Sequence, residues 1–174
     1  MKKQLIMAVV FFTVIFAIGF INPAKAVEQS TQKSISILFD NGVDKTFEAR
    51  QAKAQTQVSE WMSYDLVRVF ARYAKAGYQA KLIEKRKDFS PQLDNYLLMV
   101  KVIEYRPGSK AARMMVGFGA GGVSLKVNYE LSADGKKAIL TNDDAVFSGR
   151  EWINSARKLN ENIAKAVTAK LDRK

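Results

Sequence analysis

The chain has 174 residues, among them 28 Lys and Arg against 17 Asp and Glu, which gives a formal net charge of +11, and it contains neither cysteine nor histidine. Disulfides, thiolate metal sites, a lipid-bearing cysteine, and Ser-His-Asp or Cys-His catalysis are therefore excluded. Only carboxylate, lysine, serine or tyrosine chemistry would remain for an enzyme.

Residues 1–26 predict a secretory signal peptide. Lys2 and Lys3 precede an apolar run of 17 residues, Leu5 to Ile21, and Ala24-Lys25-Ala26 forms a small-x-small cleavage site. The run is also long enough for an uncleaved membrane anchor. We expect cleavage, which leaves a single periplasmic domain over residues 27–174 and no membrane attachment unless cleavage fails.

The basic charge narrows the expected partners. Residues 1–26 contain three lysines and no acid, so their removal lowers the formal net charge to +8. An exported basic protein meets lipid head groups, lipopolysaccharide phosphates, wall carboxylates or acidic protein faces, and we expect no nucleic-acid partner. The alternative is that the lysines only keep the protein soluble.

The first half of the chain predicts one strand and one long helix. Apolar residues alternate in Ser34 to Phe39, and Asp40-Asn41-Gly42 ends this half-buried strand. Apolar residues then recur at three- and four-residue spacing from Val58 to Ala76, with Gly77 as a C-terminal cap. This helix could begin as early as Phe47, because the intervening residues are good helix formers.

The second half predicts four further strands and a second helix. A connection at Asp88 to Pro91, the turn Arg106-Pro107-Gly108 and a hairpin turn at Asp134-Gly135 separate the strands. The predicted elements are strands at 78–85, 96–105, 123–131 and 137–147, and a helix from Trp152 to Leu171. Together they predict an α+β domain with a mostly antiparallel (mixed) sheet of about five strands and two helices packed on one face.

The acidic residues do not form an evident catalytic pair. Asp143-Asp144 is the only adjacent acidic pair in the sequence, and neighbours in a strand point to opposite faces. We interpret these two residues as turn or solvent-face residues. With so few catalytic options, we expect no enzymatic activity.

A literal G-x-G-x-x-G lies in Gly117, Gly119 and Gly122, the spacing of dinucleotide-binding loops. That fingerprint requires a helix after the glycines, but here a predicted strand follows them, so we expect no nucleotide cofactor. If the segment is extended, Gly117, Gly119 and Gly121 present a bare face that allows close approach. If residues 109–116 form a short helix instead, the glycines are its exit loop.

The segment "YRPGSKAARMMVGFGAGGVSLKVNYEL", followed by an Asp-Gly turn, "FSG" and an alanine-rich terminal helix, resembles the exported bacterial family called domain of unknown function 4410. The most specific part is Arg113 with Gly117 to Gly121, together with Pro107-Gly108. The resemblance implies a cell-envelope protein and supplies no catalytic residues. Many members look like lipoproteins, whereas this chain has no cysteine to lipidate. The order of elements is also similar to small α/β accessory domains of envelope assembly and export systems.

Two functions are consistent with these features. The preferred one is a non-enzymatic periplasmic accessory module that binds an envelope protein or an anionic envelope surface. Its predicted interaction surface comprises Arg106, Lys110, Arg113, Gly117, Phe118, Gly119, Gly121 and Gly122. The alternative is a protein that binds a small ligand or lipid in a pocket between sheet and helices, lined by Trp61, Phe70, Met99 and Phe118, side chains that are also typical of a plain core.

Overall fold

A computed structural model describes residues 32–44, 46–108, 121–149 and 151–173, all within one compact unit, Thr31–Lys174. Its strands are β1 (Lys33–Asp40), β2 (Tyr78–Ile83), β3 (Asn95–Arg106), β4 (Val123–Ser132) and β5 (Ala138–Ser148), and its helices are α1 (Ala49–Ala71) and α2 (Trp152–Leu171). Each corresponds to a predicted element. Neither helix is long and apolar enough to span a membrane, as judged over the described residues.

The five strands form one mixed sheet in the order β2-β1-β3-β4-β5. β1 pairs in parallel with both β2 and β3, whereas β3, β4 and β5 pair antiparallel. The predicted fold class is therefore confirmed, with parallel pairing on one side of the sheet. Alternation could not reveal this feature, because parallel and antiparallel strands share the same period of two.

The two parallel connections explain why only one face carries helices. Helix α1 leads from β1 to its neighbour β2, and the segment 84–94 leads back past β1 to β3. Connections between parallel strands are almost always right-handed. Because the first connection moves outward from β1 to β2 and the second moves back towards β3, the two must lie on opposite faces of the sheet. Consistent with this, Phe89 of the second crossover lies against the helix-free face, next to Leu97 and Gly135.

The main core lies between the sheet and the two helices. Strands β3 and β4 supply alternate buried residues to it, and α1 and α2 pack on each other above them. The fully buried large side chains include Ile35, Ile37, Met62, Leu66, Phe70, Leu98, Leu125, Tyr129, Leu131 and Leu159. Burial of each such aliphatic or aromatic side chain contributes about 1.5–3 kcal/mol, so the predicted apolar stripes account for the docking of both helices.

Two local features differ from the sequence prediction. Helix α1 begins at Ala49, close to the early start considered above, but ends at Ala71; a 3₁₀ turn, Ala74–Ala76, follows, and Gly77 (φ +82°) ends it. A tightened turn of this kind lets the chain reverse towards β2. Strand β1 is also buried on both faces, since Ser36 is only 1% exposed. β1 is an internal strand of the sheet, and one crossover lies on each of the two faces.

A polar contact attaches the end of α2 to the start of the sheet. The ammonium of Lys33 donates to the carboxylate of Asp172 (3.0 Å), the hydroxyl of Tyr78 (3.2 Å) and the carbonyl of Leu171 (3.1 Å), and the Tyr78 hydroxyl donates to Asp172. These hydrogen bonds hold the pKa of Asp172 below its ordinary value, with that from Tyr78 the largest cause. Burial and the bond to Asp172 raise the pKa of Tyr78.

Candidate interaction surfaces

The sheet has two ends with different chemistry. At the glycine end, β3 stops and β4 starts, on either side of the predicted glycine-rich surface. At the hairpin end, β3 starts and residues 133–137 connect β4 to β5. Because β3 has 12 residues, the two ends lie on the order of 35–40 Å apart along the strand.

At the glycine end, Gly108 and Gly121 lie at the two bases of the segment 109–120. Both have positive φ (+72° and +68°), and a Cβ on Gly108 would lie only 2.5 Å from the carbonyl oxygen of Gly121. Glycine at position 108 thus permits two backbone segments to approach closely. A Cβ on Gly122 would lie 2.5 Å from the ring of Phe147, whose side chain is 66% exposed.

Arg106 also lies at the glycine end, where its guanidinium forms an ion pair with the carboxylate of Glu104. A bulge between Val102 and Glu104 shifts the register at this point of β3. The charge of Arg106 is therefore partly offset by its neighbour. Of the other predicted surface residues, Lys110, Arg113, Gly117, Phe118 and Gly119 lie outside the described residues, so their role stays a prediction.

A larger group of cations lies where the crossover after β2 contacts the hairpin loop. The crossover between β2 and β3 contributes three consecutive basic residues, and the loop between β4 and β5 contributes two. This basic cluster comprises Lys85, Arg86, Lys87, Lys136 and Lys137, all exposed. The guanidinium of Arg86 donates to the carbonyl of Gly135, which joins the two loops. No ion pair among the described residues involves a member of the cluster.

Two carboxylates in these loops, those of Asp134 and Asp88, accept hydrogen bonds from backbone amides. The carboxylate of Asp134 accepts from the amides of Lys136 (2.8 Å) and Lys137 (2.9 Å), and these bonds lower its pKa. The carboxylate of Asp88 accepts from the amide of Lys85 (2.9 Å), while Glu84 is exposed. Two of the neighbouring carboxylates thus stabilise turns and present fewer oxygens to the lysine ammonium groups.

The sequence contained a signal for this cluster that the prediction missed. Lys85-Arg86-Lys87 and Lys136-Lys137 are visible charge runs, but a charge run by itself is usually a solvated surface. Their proximity depends on contacts between positions 49 residues apart. Only the path of the crossover over the helix-free face, anchored by Phe89 on Gly135, brings the two runs together.

The two carboxylates of the acidic pair have separate partners. Asp143 and Asp144 lie inside β5 on opposite faces, as predicted; of the two alternatives, turn or solvent face, the exposed Asp143 fits the second. Asp143 accepts from the amide of Asn128 (3.0 Å), and Asp144 accepts from that of Asn162 on α2 (2.8 Å). Within the described ranges, no three acidic residues are grouped so that they could hold a metal ion.

Of the side chains predicted to line a ligand pocket, the three that the structure describes are not brought together. Phe70 is fully buried in the core, and Trp61 packs edge-on against Trp152, with 5.5 Å between ring centroids. Met99 lies on the helix-free face, in a depression of about 260 Å³, and Phe118 is outside the described residues. A groove of about 420 Å³ between β1 and α1 is lined mainly by polar side chains, so it does not match the predicted apolar pocket.

Comparisons with solved structures show the fold alone. A PelC dodecamer from Paraburkholderia phytofirmans is similar at 13% identity, with a TM-score of 0.51, over 77% of this chain and 87% of that one. A second crystal form of that dodecamer gives 14% identity, a TM-score of 0.48, and coverage of 77% and 85%. No curated protein matches the chain.

The family model described as domain of unknown function (DUF4410) matches residues 27–151. This range starts at the predicted signal cleavage site and includes all five strands of the sheet. It also contains both the glycine-rich segment and the basic cluster. The chain therefore belongs to the DUF4410 family.

Proposed function

We propose that this protein is a non-enzymatic, exported module of the cell envelope that binds an anionic partner through its basic cluster. The observation that carries the proposal is that Arg86, within the run Lys85 to Lys87, contacts the loop that carries Lys136 and Lys137, while none of these five cations forms an ion pair among the described residues. Concentrated positive charge of this kind attracts phosphate- or carboxylate-bearing surfaces.

Other basic residues have a local structural explanation. Arg68 and Lys170 lie in the last turns of α1 and α2, where a cation interacts favourably with the helix dipole. Arg72 forms an ion pair with Glu161 across the two helices (3.2 Å). The lysines of the basic cluster do not belong to the last turn of α1 or α2, so this explanation does not extend to them.

The chemistry of the chain favours binding over catalysis. Histidine and cysteine are absent from the sequence, and the acidic pair is divided between the two faces of β5. Export is supported by the predicted signal peptide and by the family resemblance. An acidic protein face and an anionic envelope polymer both satisfy the same charge requirement.

A soluble polyanion tests this function directly. We expect calorimetry to detect polyphosphate binding that weakens as salt rises, because each phosphate contact releases counterions. The variant Lys87→Gln/Lys136→Gln/Lys137→Gln should bind at least about tenfold more weakly than wild type. It leaves Arg86 in place, because that side chain also supports the loop.

The matched control removes three exposed lysines elsewhere, as Lys53→Gln/Lys158→Gln/Lys165→Gln. This control has the same net charge as the cluster variant and should bind nearly as tightly as wild type. If the two variants lose affinity equally, net charge rather than the basic cluster determines binding. If wild type does not bind, the proposal is wrong.

A further inference from the structure

An exposed leucine lies at the hairpin end of the sheet. The side chain of Leu93 is 91% exposed, whereas the other exposed large apolar side chains among the described residues are between 36% and 66% exposed. Leaving a leucine in water contributes nothing to folding. A polar residue would serve a plain surface turn equally well, so the position invites a functional explanation.

The backbone holds Leu93 in a tight turn. The amide of Asn95 donates to the carbonyl of Gln92 (3.1 Å), so Leu93 and Asp94 are the central residues of a β-turn. Asp94 has φ +57° and is the one non-glycine residue with positive φ in the part of the chain that the structure describes. Aspartate tolerates this left-handed conformation in turns, so Asp94 fixes the shape of the turn at little cost.

Neighbouring hydrogen bonds fix this turn on the sheet. The carbonyl of Asp94 accepts from the amide of Ser34 (2.8 Å), and the side-chain amide of Asn95 donates to the carbonyl of Ser90 (2.6 Å). The turn is therefore attached to the start of β1 rather than only to its own loop. Its leucine is presented on a fixed support.

The strand register places this turn beside the basic cluster. Leu97 pairs with Ser132, the last residue of β4, so the residues that precede β3 lie next to the loop that carries Lys136 and Lys137. The same crossover contributes Lys85, Arg86 and Lys87 a few residues before Leu93. The turn of Leu93 thus lies beside the loop that carries Lys136 and Lys137, and Arg86 joins that loop to the basic run of the crossover.

We infer that the hairpin end docks on a membrane surface rich in anionic phospholipids, with the basic cluster against the head groups and Leu93 in the interface. This inference rests on the proposed function and names its partner. A lipid surface offers both phosphates for the cations and an apolar layer for the leucine, whereas a soluble polyanion offers only the phosphates. A single leucine gives shallow, reversible binding.

Vesicle sedimentation tests the inference, with protein as recovered from cells and its N-terminus determined by intact mass. Vesicles of phosphatidylglycerol and phosphatidylethanolamine should bind the protein, and vesicles of phosphatidylcholine alone should not. Leu93→Ser should lower partitioning about tenfold, which is the transfer effect of one leucine side chain. Phe147→Ser, at the glycine end and 66% exposed in the wild type, is the matched control and should leave partitioning unchanged.

Because the chain has no cysteine, Leu93→Cys creates a unique labelling site. An environment-sensitive dye at this position should shift its emission to the blue on anionic vesicles, while the same dye at Phe147→Cys should not. Absence of both the shift and the Leu93→Ser effect would overturn the inference, and so would equal binding to phosphatidylcholine. If polyphosphate binding nevertheless persists and depends on the basic cluster, the proposed function stands without a membrane partner.

Discussion

Gly135 is the residue on which the two halves of the basic cluster meet, and Gly135→Ala tests that junction. Gly135 has φ +71°, and a Cβ at this position would lie 3.0 and 3.1 Å from Cδ1 and Cε1 of Phe89. Its carbonyl accepts the hydrogen bond from the guanidinium of Arg86. Alanine at this position must therefore keep a left-handed backbone, and its methyl group must displace the ring of Phe89, which anchors the crossover.

The expected cost combines two terms. A non-glycine residue in the left-handed region loses about 1–2 kcal/mol, and displacement of a packed ring adds a term of about 1 kcal/mol. The lower entropy of alanine in the unfolded chain offsets about 0.4–1 kcal/mol. A net loss of about 2 kcal/mol in the free energy of unfolding lowers the melting temperature by about 4–8 °C in a domain of this size.

Thermal unfolding followed by circular dichroism measures this loss, with Gly149→Ala as the control. A Cβ on Gly149 would meet no atom within 4 Å, and its φ is not in the left-handed region. The control should therefore melt at or slightly above the wild-type temperature. If Gly135→Ala matches Gly149→Ala in stability, Phe89 does not pack on Gly135. Weaker polyphosphate binding by folded Gly135→Ala would also show that the two loops act together.

Two further predictions concern the chain termini. Because Tyr78 and Lys33 hold the pKa of Asp172 low, its ionised form stabilises the folded protein at neutral pH, and this contribution is lost as the pH falls below about 4. Asp172 is 59% exposed, so Asp172→Asn should cost no more than about 1 kcal/mol at neutral pH and progressively less as the pH falls below about 4, a difference visible in melting temperatures across that range. At the other terminus, protein released by osmotic shock should begin at Val27; intact mass showing Met1 in a membrane fraction would identify an uncleaved anchor instead.

Much of the secondary structure was predictable because it depends on local patterns. The bounds of α2, Trp152 to Leu171, follow from an uninterrupted apolar stripe, and β4 follows from strict alternation of apolar residues. The end of α1 was harder to predict. Its apolar spacing continues past Ala71, but the chain must turn there to bring Tyr78 into register beside Lys33.

The interaction surface was less predictable because it depends on tertiary contacts. The conspicuous glycines drew the prediction to Arg106 and its neighbours, whereas the basic cluster requires that the connection after β2 cross the helix-free face. In the sequence that path is marked by Phe89, since the other large apolar residue of the crossover, Leu93, is exposed. One such residue does not distinguish an anchored crossover from an exposed loop.

Charge compensation distinguishes the two ends of the sheet. At the glycine end, where both helices begin, Glu48 and Glu151 occupy the N-cap positions next to the positive ends of the helix dipoles. Arg106 at the same end pairs with Glu104. The charges of Glu48, Glu151 and Arg106 are therefore offset within the fold. Where the crossover contacts the hairpin loop, the five cations of the basic cluster form no ion pair among the described residues. An anionic surface outside the protein is the partner that would complete their electrostatics.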